Sequence, residues 1–255
     1  MKNIVFRRTI STCSIGSYEV QKHDRKNNKI KERIMQGIMF NERVGMESAT
    51  LDGSKTRTTR NELDRKKKHT EEEWEFINLL YDDNYMKHSG ALEFDGVNTF
   101  TIKDSYNSCD FKTRYKVGKT LAIKQSYDNI FDKMDSERYN YDQYEDYRQL
   151  AMGMKLAGNT NKMFVRNDLM PHHIQITDIK LERLQEISEE DCLKEGIKKT
   201  MAWTTTPSYD YGAYPNEKSY SSAKDSFSHL IDNVSGKGTW GLNNWNVVYY
   251  YKLID

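Results

Sequence analysis

The chain has 255 residues, a formal net charge of +1, 36% hydrophobic residues and 30% charged residues. This length suits one domain with insertions, and the near-neutral charge excludes a protein-wide attraction for nucleic acid, so any basic site must be local. The three widely spaced cysteines form no disulfide or zinc pattern, which favours a reducing cytoplasmic location and gives no reason to expect a cofactor.

Residues 1–33 are a dense polar extension with little to bury, and we expect them to be poorly ordered. Residues 34–255 are predicted to form a single domain, although Met35 or Met39 would be an equally sensible start of the folded unit. The sequence contains no run of 18 apolar residues, so neither a membrane-spanning helix nor a membrane partner is expected.

A short helix followed by a basic strand is predicted near the start of this domain. Residues 34–40 indicate a first strand and residues 44–51 a helix, which Gly53 would end in the left-handed conformation. Residues 55–60 interleave cations with threonines, which is typical of a strand.

Simple alternation divides the side chains of this basic strand between two faces. One face would carry Lys55, Arg57 and Thr59, and the other would carry Thr56, Thr58 and Arg60. Lys55 and Thr58 would therefore meet only if a bulge or twist distorts the strand just after Gly53.

Further along the chain, predicted helices and strands follow one another. Helical spacing and capping patterns indicate helices at 70–81, 188–196 and 221–234. Strands are predicted at 111–115, 120–125, 174–184 and 247–254, and a hairpin at 91–102 with Asp95-Gly96 as its turn. The apolar phase of the strand at 174–184 shifts after Asp178, which predicts a β-bulge.

These elements predict an α+β fold, in the form of a small mixed β-barrel with peripheral helices. Insertions are expected at about 62–110, 127–165 and 198–218. We interpret the second as helical and the third as a loop, because the third carries several proline and glycine signals. The charge run at 61–70 is interpreted as a solvated loop, with a nucleic-acid contact as the alternative.

Several pieces of the sequence resemble ASCH domains, which have a PUA-like β-barrel fold. The pattern Gly53-x-Lys55-x-x-Thr58-x-Arg60 resembles the family signature. In chain order, later likenesses to the family's turn, strand, acidic helix and C-terminal part fall at 117–121, 176–184, 187–197 and 223–254. Lys119 stands where the family usually has Asp, and Asn243-Asn244-Trp245 stands where longer phage and bacterial members often have Asn-Pro-Trp.

The resemblance implies a binding function, because ASCH domains are regarded as RNA-associated by analogy with PUA modules. We therefore expect a basic cleft for RNA or for a modified nucleotide or nucleoside. The candidate binding residues are four cations and one aromatic residue that would stack on a base, namely Arg57, Arg60, Lys119, Lys237 and Trp240.

The resemblance also implies an alternative, amide hydrolysis. One small bacterial branch is similar to amidohydrolases that release the acetyl group of N4-acetylcytidine, and its catalytic residues carry over by motif to Lys55, Thr58 and Glu195. A threonine hydroxyl needs a neighbouring base, and Lys55 would serve if burial or nearby arginines lower its pKa. Glu195 would either protonate the leaving amine or hold Lys55 in place. The alternative that Lys55 and Glu195 form only an ion pair, with no catalytic role, remains open.

The sequence also bears on a protein partner and on a metal site. The tyrosine-rich insertion at 127–160 would suit a protein partner, as in an accessory protein of a phage or mobile element. His172 and His173 are adjacent and would point apart on a strand, so no metal site is predicted.

Overall fold

A five-stranded sheet is the centre of the fold in a computed structural model of the chain. The structure describes residues 35–64, 67–88, 90–106, 108–133, 158–201, 207–211 and 219–254. The strands are β1 (Gln36–Ile38), β2 (Arg57–Arg60), β3 (Ala91–Phe94), β4 (Thr99–Lys103), β5 (Ser108–Lys112), β6 (Thr120–Ile123), β7 (His173–Arg183), β8 (Lys198–Met201), β9 (Pro207–Asp210) and β10 (Trp245–Leu253). The α-helices are α1 (Met46–Leu51), α2 (Glu71–Tyr81), α3 (Asp83–His88), α4 (Tyr127–Lys133), α5 (Glu189–Lys194) and α6 (Ala223–Ser235). The fold is therefore mixed α+β, as predicted.

The central sheet has the strand order β1–β6–β7–β10–β2. β1 runs parallel to β6, and the other neighbouring strands are antiparallel. β1 and β2 form the two edges and do not pair with each other, so the described sheet is open and not the closed barrel that we expected. The sequence marks where strands occur, but it does not reveal whether the first and last strands of a sheet hydrogen-bond.

A side chain of the edge strand β2 nevertheless contacts the residues that follow the other edge strand, β1. Arg60 in β2 donates a hydrogen bond of 2.7 Å to the carbonyl oxygen of Met39, one residue beyond β1. Its guanidinium also lies 5.6 Å from the ring centre of Phe40. The sheet therefore curls, and a side chain rather than a strand ladder spans the gap.

The longest strand pair, β7 with β10, contains the predicted bulge. Tyr250 pairs with Asp178 and Tyr251 pairs with Ile176, so Thr177 is an extra residue on β7. This extra residue shifts the alternation of side chains between the two faces of the sheet. Ile176 and Ile179 are therefore both buried although they are three positions apart. The prediction of a β-bulge here is confirmed.

The segment between β2 and β6 forms a second, smaller sheet with a helix packed on it. β3, β4 and β5 are antiparallel, and Phe94 pairs with Phe100 across the predicted hairpin. The helix α2 begins with the predicted capping box, in which Thr70 and Glu73 exchange hydrogen bonds of 3.2 and 2.8 Å. The strand predicted at 111–115 overlaps only the end of β5, which ends at Lys112, so residues 113–115 lie outside it.

Two of the predicted insertions give different outcomes. The segment 198–218 was expected to be a loop, but β8 and β9 pair there as a two-stranded antiparallel sheet. Pro207 is the first residue of β9, so a proline signal in this segment does not exclude a strand. The insertion at 127–165 begins with α4, whereas residues 134–157, with the predicted tyrosine-rich helix, lie outside the described residues, as do residues 1–33.

One hydrophobic core joins the two larger sheets. Phe76 of α2 stacks on Phe111 of β5 at a centroid distance of 5.5 Å, and both belong to the same buried cluster as Leu121, Ile174 and Tyr249 of the central sheet. Burial of such large side chains is the main favourable term in folding. In the part of the chain described here, no helix is long and apolar enough to cross a membrane.

We predict that Phe76→Ala lowers the free energy of unfolding by about 3–5 kcal/mol, because it leaves a cavity between α2 and β5. Phe76 has no exposed surface, whereas the neighbouring Glu75 is exposed. Chemical denaturation should therefore show a change within about 0.5 kcal/mol for the control Glu75→Ala. Equal denaturation midpoints for the two variants would contradict the conclusion that Phe76 packs α2 against β5.

Candidate functional site

Lys55 is positioned by the turn that follows α1. Gly53 has a φ of 77°, in the left-handed region that favours glycine, so the predicted helix stop is confirmed. The backbone N–H of Lys55 then donates to the carbonyl oxygen of Ala49 at 2.8 Å. The chain is thereby folded back against α1 before β2 begins.

Glu195 comes from the C-terminal cap of α5, about 140 positions further along the chain. The start of β2 is held directly against this helix end, because the N–H of Thr56 donates to the carbonyl oxygen of Lys194 at 2.9 Å. The next residue, Gly196, has a φ of 98°, and a Cβ at that position would lie 3.5 Å from Lys55 Cβ. That distance is an ordinary van der Waals contact, so it is the positive φ of the turn that favours glycine here.

The Glu195 carboxylate is the centre of a buried polar cluster. Its Oε2 lies 2.6 Å from Lys55 Nζ, which also donates to the Glu195 carbonyl oxygen at 2.7 Å. Its Oε1 accepts hydrogen bonds from Arg57 Nη1 at 3.0 Å and from Thr59 Oγ1 at 2.5 Å. Both carboxylate oxygens thus have hydrogen-bond donors, and an ion pair joins Lys55 to Glu195, two residues that the motif assigned to one site from distant parts of the sequence.

Lys55 is held in an environment that disfavours its positive charge. Its side chain is only 3% exposed, and burial lowers its pKa. Glu195 opposes this effect by charge and by hydrogen bonding, whereas the positive charges of Arg60 and Arg57 add to it. The net direction is downward, which was the condition required for Lys55 to act as a base.

Arg57 is an internal cation in this structure. Its side chain is 1% exposed and lies between two carboxylates, with Nη2 at 2.8 Å from Glu182 Oε1 in addition to the contact with Glu195. Burial lowers the pKa of Arg57, but Glu195, Glu182 and a hydrogen bond with Tyr250 together outweigh burial and raise this pKa. Arg57 was predicted to bind a ligand, but its guanidinium is buried and instead holds Glu195 in position.

A cavity of about 130 Å³ lies at the free edge of β2, and we call it the lysine cavity. Its polar lining comes from Asn41, Lys55, Thr58, Thr59, Arg60, Glu195 and Ser235. The rest of the lining is apolar and comes from the segment after β1, from the start of α1 and from α6, namely Met39, Phe40, Met46, Phe227, Leu230, Ile231 and Val234. A charged cluster thus meets a small, partly apolar space.

The structure separates the two threonines of β2. Thr59 shares the face of Lys55 and Arg57 and bonds to Glu195, as simple alternation predicts. Thr58 pairs with Tyr249 of β10 and lines the lysine cavity, but the hydroxyl that contacts Glu195 belongs to Thr59. The proposed triad therefore has Lys55 and Glu195 in direct contact, with Thr58 at the wall of the same cavity.

Of the five predicted binding residues, only Arg60 lines the lysine cavity, and the buried Arg57 and three others lie outside its lining. Lys119 is in the turn before β6, and two strands separate β6 from β2 in the sheet. Lys237 is exposed in the turn after α6. Trp240 packs edge-on against Phe227 at 6.1 Å and so stands behind the cavity wall.

Sequence reasoning missed two kinds of contributor. Thr59 and Glu182 complete the polar cluster, and the alternation of β2 already placed Thr59 on the correct face. The contribution of α6 to the cavity wall had no sequence signal beyond the apolar spacing of that helix, which indicates burial but not the surface that it covers.

No protein family, no curated protein and no solved structure matches this chain. The resemblance to ASCH domains therefore stays a prediction from the sequence. Within the described ranges, no three His, Cys, Asp or Glu side chains are grouped so that they could hold a metal ion.

We predict that Glu195→Gln lowers the free energy of unfolding by about 3–5 kcal/mol, because it leaves the buried Lys55 without its carboxylate and leaves Arg57 with Glu182 alone. The matched control is Glu190→Gln on the exposed surface of the same helix, α5. Denaturant titration of both variants measures the difference. A Glu195→Gln protein as stable as the control would show that the buried ion pairs do not support the fold.

Proposed function

We propose that the chain binds RNA or a modified nucleotide or nucleoside, with one base in the lysine cavity. The observation that carries this proposal is a nearly fully buried Lys55 at the wall of a cavity that also has apolar sides. A protonated lysine has three N–H donors, and Glu195 takes two of them, so one donor remains for a ligand.

The size and walls of the lysine cavity suit a flat ring. Its volume of about 130 Å³ is close to the ~150 Å³ of an engineered cavity that admits benzene. Phe40, Phe227 and Leu230 supply apolar surface, while Lys55 and Arg60 supply donors at one side. A heterocyclic base combines a flat apolar body with polar edges, which is the complement of these walls.

The cleft is less basic than the sequence alone indicates, because two of its cations are paired with carboxylates. Arg57 is neutralised by Glu182 and Glu195, and Lys55 is paired with Glu195. Recognition of a single base in a pocket therefore explains the arrangement better than a long phosphate-binding track, for which exposed cations are needed.

We also propose that the curled sheet is an opened version of the PUA-like barrel implied by the resemblance. The support is the approach of its two edges, which Arg60 spans through its hydrogen bond to Met39. The short strands β1 and β2, of three and four residues, limit how many ladder hydrogen bonds the edges offer.

We predict that Lys55→Met weakens binding of N4-acetylcytidine or cytidine by roughly tenfold or more, since a hydrogen bond from a charged donor contributes ~1.5–3 kcal/mol. Methionine keeps the length of the side chain, and Glu195 keeps its partners Arg57 and Thr59. Isothermal titration calorimetry measures the loss, with the exposed Lys112→Met as the control. Equal affinities for both variants would remove Lys55 from the binding site.

A second candidate function is hydrolysis of an acylated cytidine or a related small amide. The specific observation in its favour is the lowered pKa of Lys55, with Thr58 in the wall of the same cavity. A neutral lysine has two N–H groups, and Glu195 accepts two hydrogen bonds from Nζ. The lone pair would then be free to accept a proton on the remaining side.

The proposed reaction has two stages. Thr58 Oγ would attack the acyl carbon and pass its proton to Lys55 through a water molecule in the shared cavity, and the C–N bond would break as the leaving amine takes that proton. A water molecule would then attack the acyl-threonine ester, pass a proton through Lys55 to Thr58, and release the carboxylic acid. Glu195 would hold Lys55 throughout, since its carboxylate already accepts from three side chains.

We predict that cytidine release from N4-acetylcytidine is abolished in Thr58→Ala and retained in the exposed control Thr200→Ala. The kcat/KM should rise with pH until Lys55 loses its proton, at a pH below the ordinary lysine value of 10.5, because the base is the neutral amine. Chromatography of the products measures both effects. Full turnover in Thr58→Ala, or a rate that falls over this rising limb, would contradict the mechanism.

A further inference from the structure

A second cavity of about 200 Å³ adjoins the lysine cavity. The two cavities share part of their lining, namely Thr59, Ile231 and Ser235. The edge of β2 and one side of α6 therefore form a common wall, and a ligand in the lysine cavity can extend past Thr59 into the second one.

The second cavity has a different chemistry, and we call it the amide cavity. Its polar lining includes the amides of Asn61, Asn244 and Asn246 and the hydroxyl of Thr239. An amide both donates and accepts hydrogen bonds, as does an alcohol. These side chains therefore match a neutral group that carries several hydroxyls.

The amide of Asn246 is fixed before any ligand arrives. Asn246 is 5% exposed, and its Nδ2 donates to the carbonyl oxygen of Asn244 at 2.8 Å. The same carbonyl accepts the N–H of Leu184 at 3.0 Å, which ties this loop to the end of β7. Fixed donors and acceptors lose little conformational entropy on binding.

The charges of the amide cavity disfavour a phosphate. Among the described residues that line it, the one charged side chain is the carboxylate of Asp64, and no lysine or arginine lines it. Phosphate sites use cationic donors or helix N-termini, and a carboxylate repels the anion.

We infer that the two cavities hold one two-part ligand, with the flat ring in the lysine cavity and a neutral sugar in the amide cavity. Each cavity alone is below the ~300–1,000 Å³ of ordinary small-molecule sites, and together they reach the lower end of that range. This inference rests on the proposed function and adds a preference for the nucleoside over both the free base and the 5′-monophosphate.

Calorimetric titration of the full chain with the four common bases, their ribonucleosides and 5′-monophosphates, and N4-acetylcytidine tests this inference. We expect a nucleoside to bind about tenfold or more tightly than its base, since each hydrogen bond to the sugar contributes roughly two- to tenfold. The nucleoside should also bind more tightly than its monophosphate, and its affinity should change little with salt.

Two variants assign the effect to the amide cavity. Asn246→Ala and Asn244→Ala should each weaken nucleoside binding by roughly two- to tenfold and leave the affinity for the free base unchanged. The half-buried Asn244 serves as the second variant if loss of the buried Asn246 impairs folding. Asn78→Ala, on the exposed surface of α2, is the matched control.

The outcomes separate this inference from the proposed function. Equal affinity for base and nucleoside, tighter binding of the monophosphate, or equal losses for base and nucleoside in the asparagine variants would overturn the sugar subsite and leave base binding intact. Failure of every compound to bind would overturn the proposed function and the sugar subsite together.

Discussion

The structure around the candidate site depends on one buried carboxylate. Glu195 receives hydrogen bonds from Lys55, Arg57 and Thr59, and so it joins the cap of α5 to the edge strand β2. A buried ion pair of this kind adds little net stability compared with apolar packing, but its loss leaves an uncompensated charge. The same carboxylate therefore fixes the position of β2 and keeps Lys55 in a place where burial lowers its pKa.

Local patterns predicted much of the fold, because they act over a few residues. The helix stop at Gly53, the capping box at Thr70 and the bulge in β7 follow from backbone freedom, hydrogen-bond geometry and apolar phase. The open edge of the central sheet and the hairpin of β8 and β9 were not predicted. Strand closure depends on the path of the whole chain, and proline and glycine signals do not show which segments pair.

The site was predicted in part, and the difference between Thr58 and Thr59 is instructive. The motif assigned Lys55 and Glu195 to one site, and in the structure their side chains are in contact, which gives the buried lysine a carboxylate partner. Alternation along an undistorted strand already assigned Thr59 to the face of Lys55, and the structure follows that rule. The burial of Arg57 and the wall from α6 depend on packing between distant elements, for which the sequence offers no local signal.

The place of β10 in the sheet has a consequence for the order of folding. Among the strands that the structure describes, β2 pairs only with β10, and β10 lies between β2 and β7, although some 190 residues separate β2 from β10 in the chain. During synthesis, β2 therefore leaves the ribosome long before its strand partner exists. Contacts over such long sequence separations form slowly. Both cavities thus share a strand whose ladder closes only after β10 has been made, so a nascent chain would hold Lys55 without an assembled pocket.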